Sequence, residues 1–491
     1  MTTSPTTRSA EIRATLDHPI IDTDAHMIEL TPVLVDYIRK VGGDAAADAY
    51  YKAPQIAGFS HTQGLKSPAS VREDRWNTRS GWWGRRTRRP DGSDAALDLA
   101  TVQLPRLLND RMDDFGVDYM LVYPSEGLTS VTIRNPEVRR AAVRGYNTYA
   151  AELFAPFSSR MTPVAVVPMT TPEEAIDELE HAVNILGHKA VCLEGFVRRP
   201  IPVVDQENPE LNRYAYRLDF FGLDSDYDYD PVWAKCQELK VAATFHSTAM
   251  AWPRFGSISN YVYNHIGGLA LCNQNLAKAL FLGGVTRRFP DLRFAFLEGG
   301  VTWGATLFAD LVGHWEKRNV EAMFAYLNPD NLDRELLHQM VVEHGSPEVV
   351  ALKDELGTFF NASGNPFPPE PDDFKGLEAE RREELRDLFV PSFFFGCEAD
   401  DPGVAMAFNR RANPFGAALN AVIGSDIGHW DLVDPNEIVE EAHELVESGA
   451  ITPEEFRDFT FVNPVRLHAG ANPDFFKGTR VEAAVDTLLR E

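Results

Sequence analysis

Cysteine is scarce and scattered in this sequence. Its four cysteines, Cys192, Cys236, Cys272 and Cys397, form no Cys-x-x-Cys pair, which leaves neither a zinc ribbon nor a disulfide framework. Cys192 and Cys397 sit in apolar runs and read as small core residues. Basic charge is also short: 47 Lys and Arg face 73 Asp and Glu, a net charge of −26. A general nucleic-acid binder would carry a basic footprint, and the same imbalance disfavours adhesion to anionic membranes. No apolar run reaches the roughly 18 residues of a membrane helix. The opening MTTSPTTRSAEIRATLDHP lacks the apolar stretch of a secretory signal. The expectation is a cytoplasmic protein that binds neither nucleic acid nor membrane. Hydrophobic residues make up 44% of the chain, an ordinary globular share that allows a large core.

Short apolar runs recur, each followed by a helical pattern. They are Ile20 to Asp24, Val117 to Tyr123, Pro163 to Pro168, Ala190 to Leu193, Val241 to Phe245, Leu292 to Leu297, Ser392 to Cys397 and Asn420 to Ile423. Many are almost continuously apolar, as strands covered on both faces should be. The clearest helix follows Thr171, a capping residue, with Pro172 in its first turn and Glu173 and Glu174 complementing the dipole. Ile176, Leu179, Val183 and Leu186 mark one face and Gly187 ends it. Leu104 to Phe115, Pro231 to Leu239, Leu276 to Phe289 and Pro435 to Val446 read similarly.

Eight β-then-α units predict an α/β fold, a (β/α)8 TIM-type barrel. A doubly wound sheet would need a glycine-rich phosphate loop after its first strand, and none is there. The reading divides the chain into an N-terminal extension (1–19), a single barrel (20–475) and a C-terminal tail (476–491). Two connections exceed ordinary loop lengths. Residues 27–100 read as a cap over the barrel mouth, and residues 318–390 as a helical insertion between the sixth and seventh strands.

Barrel chemistry collects at the C-terminal ends of the strands. The first strand ends on Asp24 and His26, two residues apart and so on one side of an extended segment. The fifth ends on His246, the sixth on Glu298, and the eighth on Asp426 with His429 three residues on. Two carboxylates and two imidazoles suit one divalent metal ion, Zn or Mn. Taken singly, each residue has a plainer reading: a turn for Asp24 and His26, a hydrogen-bonded core histidine for His246, a helix cap for Asp426.

The segments IIDTDAHMIE, KVAATFHS, FLGGVTRRFPDLRFAFLEGGVTW and VIGSDIGHWD, in this order, resemble the amidohydrolase-related family, in the branch of aminocarboxymuconate-semialdehyde decarboxylase. The resemblance spans about residues 20–470. It implies a metallo-barrel with ligands Asp24, His26, His246 and Asp426, and it suggests a homodimer. Two departures stand out. Many relatives have His-x-His after the first strand, where this chain has Asp24. The decarboxylases place a catalytic histidine where this chain has Glu298.

Glu298 reads as the group that moves a proton, with a supporting contact to a ligand histidine as the plainer role. His429 and His265 are the next catalytic candidates. Glu194 ends the fourth strand, where some binuclear relatives place a bridging ligand, although a capping or salt-bridging carboxylate is the simpler reading. Arginines 72, 75, 79, 85, 86, 88 and 89 interleave with Trp76, Trp82 and Trp83. Of these, Arg85, Arg86, Trp82 and Trp83 suit binding of a planar, anionic small molecule; an interface or a loop balancing acidic neighbours is the other reading. The leading expectation is a metal-dependent hydrolase acting on a small organic acid or its derivative, aromatic or conjugated, with metal-activated water. The alternatives are a metal-dependent non-oxidative decarboxylase (a carboxy-lyase) and a decayed barrel that only binds.

Overall fold

The computed structural model describes residues 6–52, 86–213, 215–246, 260–355 and 367–490. The strands among them are β1 (Ile21–His26), β2 (Tyr119–Tyr123), β3 (Met161–Val167), β4 (Ala190–Leu193), β5 (Val197–Pro200), β6 (Tyr216–Asp219), β7 (Ala243–Phe245), β8 (Phe294–Phe296), β9 (Phe393–Glu398) and β10 (Asn420–Gly424). Eight of them pair in parallel in the order β1-β2-β3-β4-β7-β8-β9-β10, and β5 and β6 form a separate antiparallel ribbon. Every residue of β1, β2, β4, β7 and β8 is buried. Helices on the outside and side chains within cover both faces, which is why these strands read as unbroken apolar runs.

The circle closes between β10 and β1. Asp426 N donates to Asp24 O at 2.9 Å, His26 N to Ile427 O at 3.1 Å, and Thr23 Oγ1 to Ile423 O at 2.6 Å. Gly424 permits this approach, because a Cβ there would stand 2.7 Å from Asp24 Cβ. The eight parallel strands make the chain a (β/α)8 barrel.

The helix Pro172–Glu180 starts as its sequence dictates, with Thr171 Oγ1 accepting from Glu174 N at 3.2 Å. The helical stretch expected over Leu276 to Phe289 is instead two helices, Gly268–Leu282 and Val285–Arg288. Gly283 and Gly284 break it, because backbone from other segments passes so close that a Cβ on Gly283 would lie 1.7 Å from Gly222 O. In the long connection after β1, the helix Thr31–Lys52 packs along the helix Pro136–Phe154. The segment 318–390 carries the helices Arg334–His344, Pro347–Ala351 and Arg382–Phe389.

The barrel floor is closed by the end of the chain. Phe461, Val465, Phe475, Phe476, Val481 and Val485 are buried in one cluster with Ile21, Tyr119, Leu121 and Phe394 of the strands. The mouth at the other end is left to polar residues. Among the described residues, no helix is long and apolar enough to cross a membrane.

Candidate metal centre

Four strand ends deliver the polar residues of the mouth. Asp24 and His26 come from β1, His246 follows β7, Glu298 lies two residues past β8, and Asp426 two past β10. Asp22 anchors the β1 side: it accepts from Ser425 Oγ at 2.5 Å, from Ser425 N at 3.0 Å and from Asp24 N at 3.1 Å. The end of β10 is thereby tied to the strand that carries Asp24 and His26.

The donor atoms of Asp24, His26 and His246 lie within 4.8 Å of one another, and so do those of His26, Glu298, Asp426 and His429. His26 Nδ1 lies 3.0 Å from Pro124 O. A carbonyl only accepts, so the proton sits on Nδ1 and the Nε2 lone pair is left free. That Nε2 faces His246 Nε2 at 2.8 Å, and Asp24 Oδ1 and Asp426 Oδ1 at 3.4 Å each. His246 Nε2 is 3.6 Å from Asp24 Oδ1. Donors about 2.0–2.2 Å from a shared tetrahedral ion would stand roughly 3.3–3.6 Å apart. Asp24, His26 and His246 form one donor cluster with Asp426 at its edge, 3.4 Å from His26, and apart from the closer His26–His246 pair these spacings suit a divalent cation. Asp24 Oδ1 is buried without a hydrogen bond, a costly state that a cation would relieve.

Charge at the mouth is one-sided. Burial pushes the Asp24 carboxyl up to about 7. Burial also raises the Asp426 carboxyl well above its ordinary range, with the Glu298 and Asp431 charges adding to it. Burial also pulls on Glu298, but His265, His246 and His26 together hold its carboxyl below the usual range. Glu298 Oε2 stands 3.2 Å from His246 Nε2, and Oε1 stands 3.7 Å from His265 Nε2. Glu298 and Asp426 both hold left-handed backbone, with φ of 53° and 50°. Such strain at non-glycine residues costs of order 1–3 kcal/mol and concentrates at functional positions.

His429 lies behind the donor set. Its Nδ1 is 2.5 Å from Asp426 Oδ1, its Nε2 is 3.2 Å from Ser125 Oγ, and its ring stacks on His26 at 4.1 Å. His265 sits towards the rim, stacked on Tyr261 at 5.6 Å and edge-on to Trp430 at 5.4 Å. Arg86 Nε donates to Trp430 O at 2.9 Å. Arg85, Trp82 and Trp83 lie outside the described residues. Glu194 stands apart from the donor clusters; its Oε2 accepts from Met169 N at 3.2 Å. That contact is to the backbone between β3 and the helix Pro172–Glu180.

Two acids escaped the sequence reading. Asp431 Oδ2 lies 3.7 Å from His265 Nε2. Glu398 ends β9, and burial together with Asp431 and Glu298 pushes its carboxyl up to about 8. The strand-end rule that found Glu298 applies equally to Glu398. Asp431 gave no such signal, because it lies seven residues beyond β10 in an irregular turn.

No curated protein matches the chain. Solved structures of similar course include 2,6-dihydroxybenzoate decarboxylase from Rhizobium (13% identity, TM-score 0.47, covering 92% of this chain and 98% of that one). Another is the 5-carboxyvanillate decarboxylase of Novosphingobium aromaticivorans, complexed with manganese (12%, 0.47, 92% and 96%). A third is the 4-oxalomesaconate hydratase of Rhodopseudomonas palustris (16%, 0.44, 96% and 100%). The family model described as Amidohydrolase matches residues 21–328, well over half of the chain. That match takes in β1 through β8 and with them Asp24, His26, His246 and Glu298, and the chain belongs to the amidohydrolase family.

Proposed function

We propose that this chain is a metal-dependent hydrolase acting on a small, planar organic acid or its derivative, with Zn or Mn held by Asp24, His26, His246 and Asp426. The observation that carries the reading is the Glu298 carboxylate, 3.2 Å from His246 Nε2 and clustered with His26, Asp426 and His429. A divalent cation at this position supplies Lewis acidity towards a substrate carbonyl and acidifies water. Glu298 takes the proton that water loses and returns it to the leaving group. His265, beside Glu298 and Asp431, holds the carboxylate in its accepting form. His429 fixes the orientation of Asp426. Arg86 meets the substrate's charge, and Tyr261 and Trp430 give a flat ring a wall to lie against.

A second reading, a non-oxidative carboxy-lyase, is favoured by His265. Its ring is flanked by Glu298 and Asp431 at 3.7 Å each, and those carboxylates raise its pKa, Glu298 foremost. An imidazolium there could protonate carbon as CO₂ departs. Hydrolysis places one oxygen from labelled water in the product, whereas decarboxylation releases CO₂ and consumes no water. Turnover of a panel of aromatic and conjugated acids, esters and amides, followed by both readouts, decides between them. A chain that purifies without Zn or Mn and gains no activity from either would instead be a barrel that only binds. Within the hydrolase reading, Glu298→Gln keeps shape and metal but loses the proton shuttle, so kcat should fall about 10²–10⁴-fold with metal content unchanged. Turnover within a few fold of the parent would remove Glu298 from the chemistry.

A further inference from the structure

The end of the barrel opposite the metal centre holds a cavity of about 590 Å³ where β8, β9 and β10 begin. Arg293, just before β8, lines it together with Arg386 of the helix Arg382–Phe389 and Arg466 of the helix Asn463–Ala469. Phe394, Val390 and Leu489 supply apolar wall. The lining contains one carboxylate, Asp387, and that acid is already engaged by Arg386, whose Nε donates to it at 2.8 Å. Three guanidinium groups against one carboxylate give the lining itself a formal charge of +2, with Asp291 acting on Arg293 and Asp458 on Arg466 from outside the lining, in a chain whose net charge is −26. Among the described residues, neither Arg293 nor Arg466 has an acidic side chain within ion-pair distance.

Arg293 is the more telling of the two. Its Nη1 donates to Pro290 O at 2.9 Å, which holds the side chain in place without balancing its charge. Burial pulls its pKa below the ordinary value, with only Asp291 opposing. A partly desolvated guanidinium without an ion-pair contact is costly unless an anion meets it.

We propose that this cavity binds a phosphate monoester with an apolar body. A dianion matches the local charge of +2, and planar guanidinium forks match phosphate oxygens. The apolar wall takes the organic part, and the volume falls within the range of small-molecule sites. The metal centre opens at the other end of the barrel, so this ligand is separate from the substrate. The inference is independent of whether the metal site hydrolyses or decarboxylates.

Calorimetric titration of the full chain with phenyl phosphate tests it, with inorganic phosphate, phenol and benzoate as comparators. We expect saturable binding of phenyl phosphate, tighter than any comparator and unchanged when EDTA strips the metal. Arg293→Gln and Arg466→Gln should each raise Kd at least about tenfold, the scale of one lost charge-assisted bond. Arg466 is exposed, so its variant keeps the fold even where Arg293→Gln does not. Absence of saturable binding, parent-like affinity in the Arg466 variant, or loss of binding with EDTA would each overturn the assignment. Equal affinity for inorganic phosphate would overturn the apolar body, and equal affinity for benzoate would overturn the phosphate.

Discussion

At the scale of single residues, the buried polar groups of the mouth make sense as a set and not one by one. His246 alone would pass for a core histidine. Its Nε2 instead faces the His26 lone pair at 2.8 Å and stands 3.6 Å from Asp24 Oδ1, an oxygen that no donor satisfies. His26→Ala or His246→Ala should therefore release most of the bound metal while the barrel stays folded, because strand pairing uses the backbone. Metal analysis together with circular dichroism reads this, and full occupancy in both variants would sink the ligand assignment. Glu194 makes a different prediction. Burial pushes its carboxyl up to about 8 from an ordinary 4.5. The folded state thus favours the protonated form. The stability this gives is complete below about pH 4.5 and disappears as the pH rises through about 8. Glu194→Gln keeps the neutral shape at every pH. Its melting temperature should match the parent near pH 4 and exceed it at pH 9, by on the order of a few kcal/mol in stability. Parallel curves for the two proteins would show that Glu194 is already ionised in the fold.

Much of this site was legible because barrels collect chemistry at strand ends, and a strand end shows in sequence as the stop of an apolar run. Asp24, His26, His246, Glu298 and Asp426 all stand at such stops. His265 was legible only as a secondary candidate, and Asp431 not at all, because a residue in an irregular segment is placed by tertiary contacts that leave no periodicity.

At the scale of elements, all eight barrel strands lie within two residues of where apolar runs place them at their starts and ends. The β5–β6 ribbon went unread for the opposite reason. Val-Arg-Arg-Pro and Tyr-Arg-Leu-Asp are short and polar, and what steadies them is a non-local cluster. Arg199 donates to Asp219 Oδ2 at 2.9 Å, Tyr229 OH at 2.7 Å and Thr170 O at 2.6 Å. The β10–β1 seam carries three of the four proposed ligands, Asp24, His26 and Asp426. Gly424→Ala would put a methyl group 2.7 Å from Asp24 Cβ, well inside van der Waals contact. Overpacking of this kind costs about 1–3 kcal/mol, and here relief must come from moving Asp24. Metal affinity should therefore fall together with the melting temperature. A Gly424→Ala protein with lowered stability but parental metal affinity would show that the seam relaxes elsewhere and does not set the ligand geometry.

At the scale of the whole molecule, the two barrel ends divide the work. The mouth accumulates Asp24, Asp426, Glu298, Asp431 and Glu398 around a few histidines, at a cost in stability that a cation would offset. The floor is packed with apolar side chains from the last stretch of the chain, beside the arginine-lined cavity at the starts of β8, β9 and β10. Residues 476–491, which by sequence alone read as a tail, contribute Phe476, Val481 and Val485, each at most 2% exposed. They pack in the same cluster as Tyr119 and Phe394 from inside the barrel. Fully burying each such side chain is worth about 1.5–3 kcal/mol, so the three together approach the roughly 5–15 kcal/mol net stability of a typical protein. Deleting residues 476–491 should then leave an aggregation-prone chain with no cooperative melting transition near that of the parent, although every metal donor is still present. The point variant Phe476→Ala should fold with a lowered melting temperature, since a buried phenylalanine cut to alanine costs about 3–5 kcal/mol. Thermal melts of the two proteins, with metal content measured on the soluble fraction, test the division. A truncated chain that melts like the parent would mean that the floor is held from within the barrel, and that the end of the chain only lies against it.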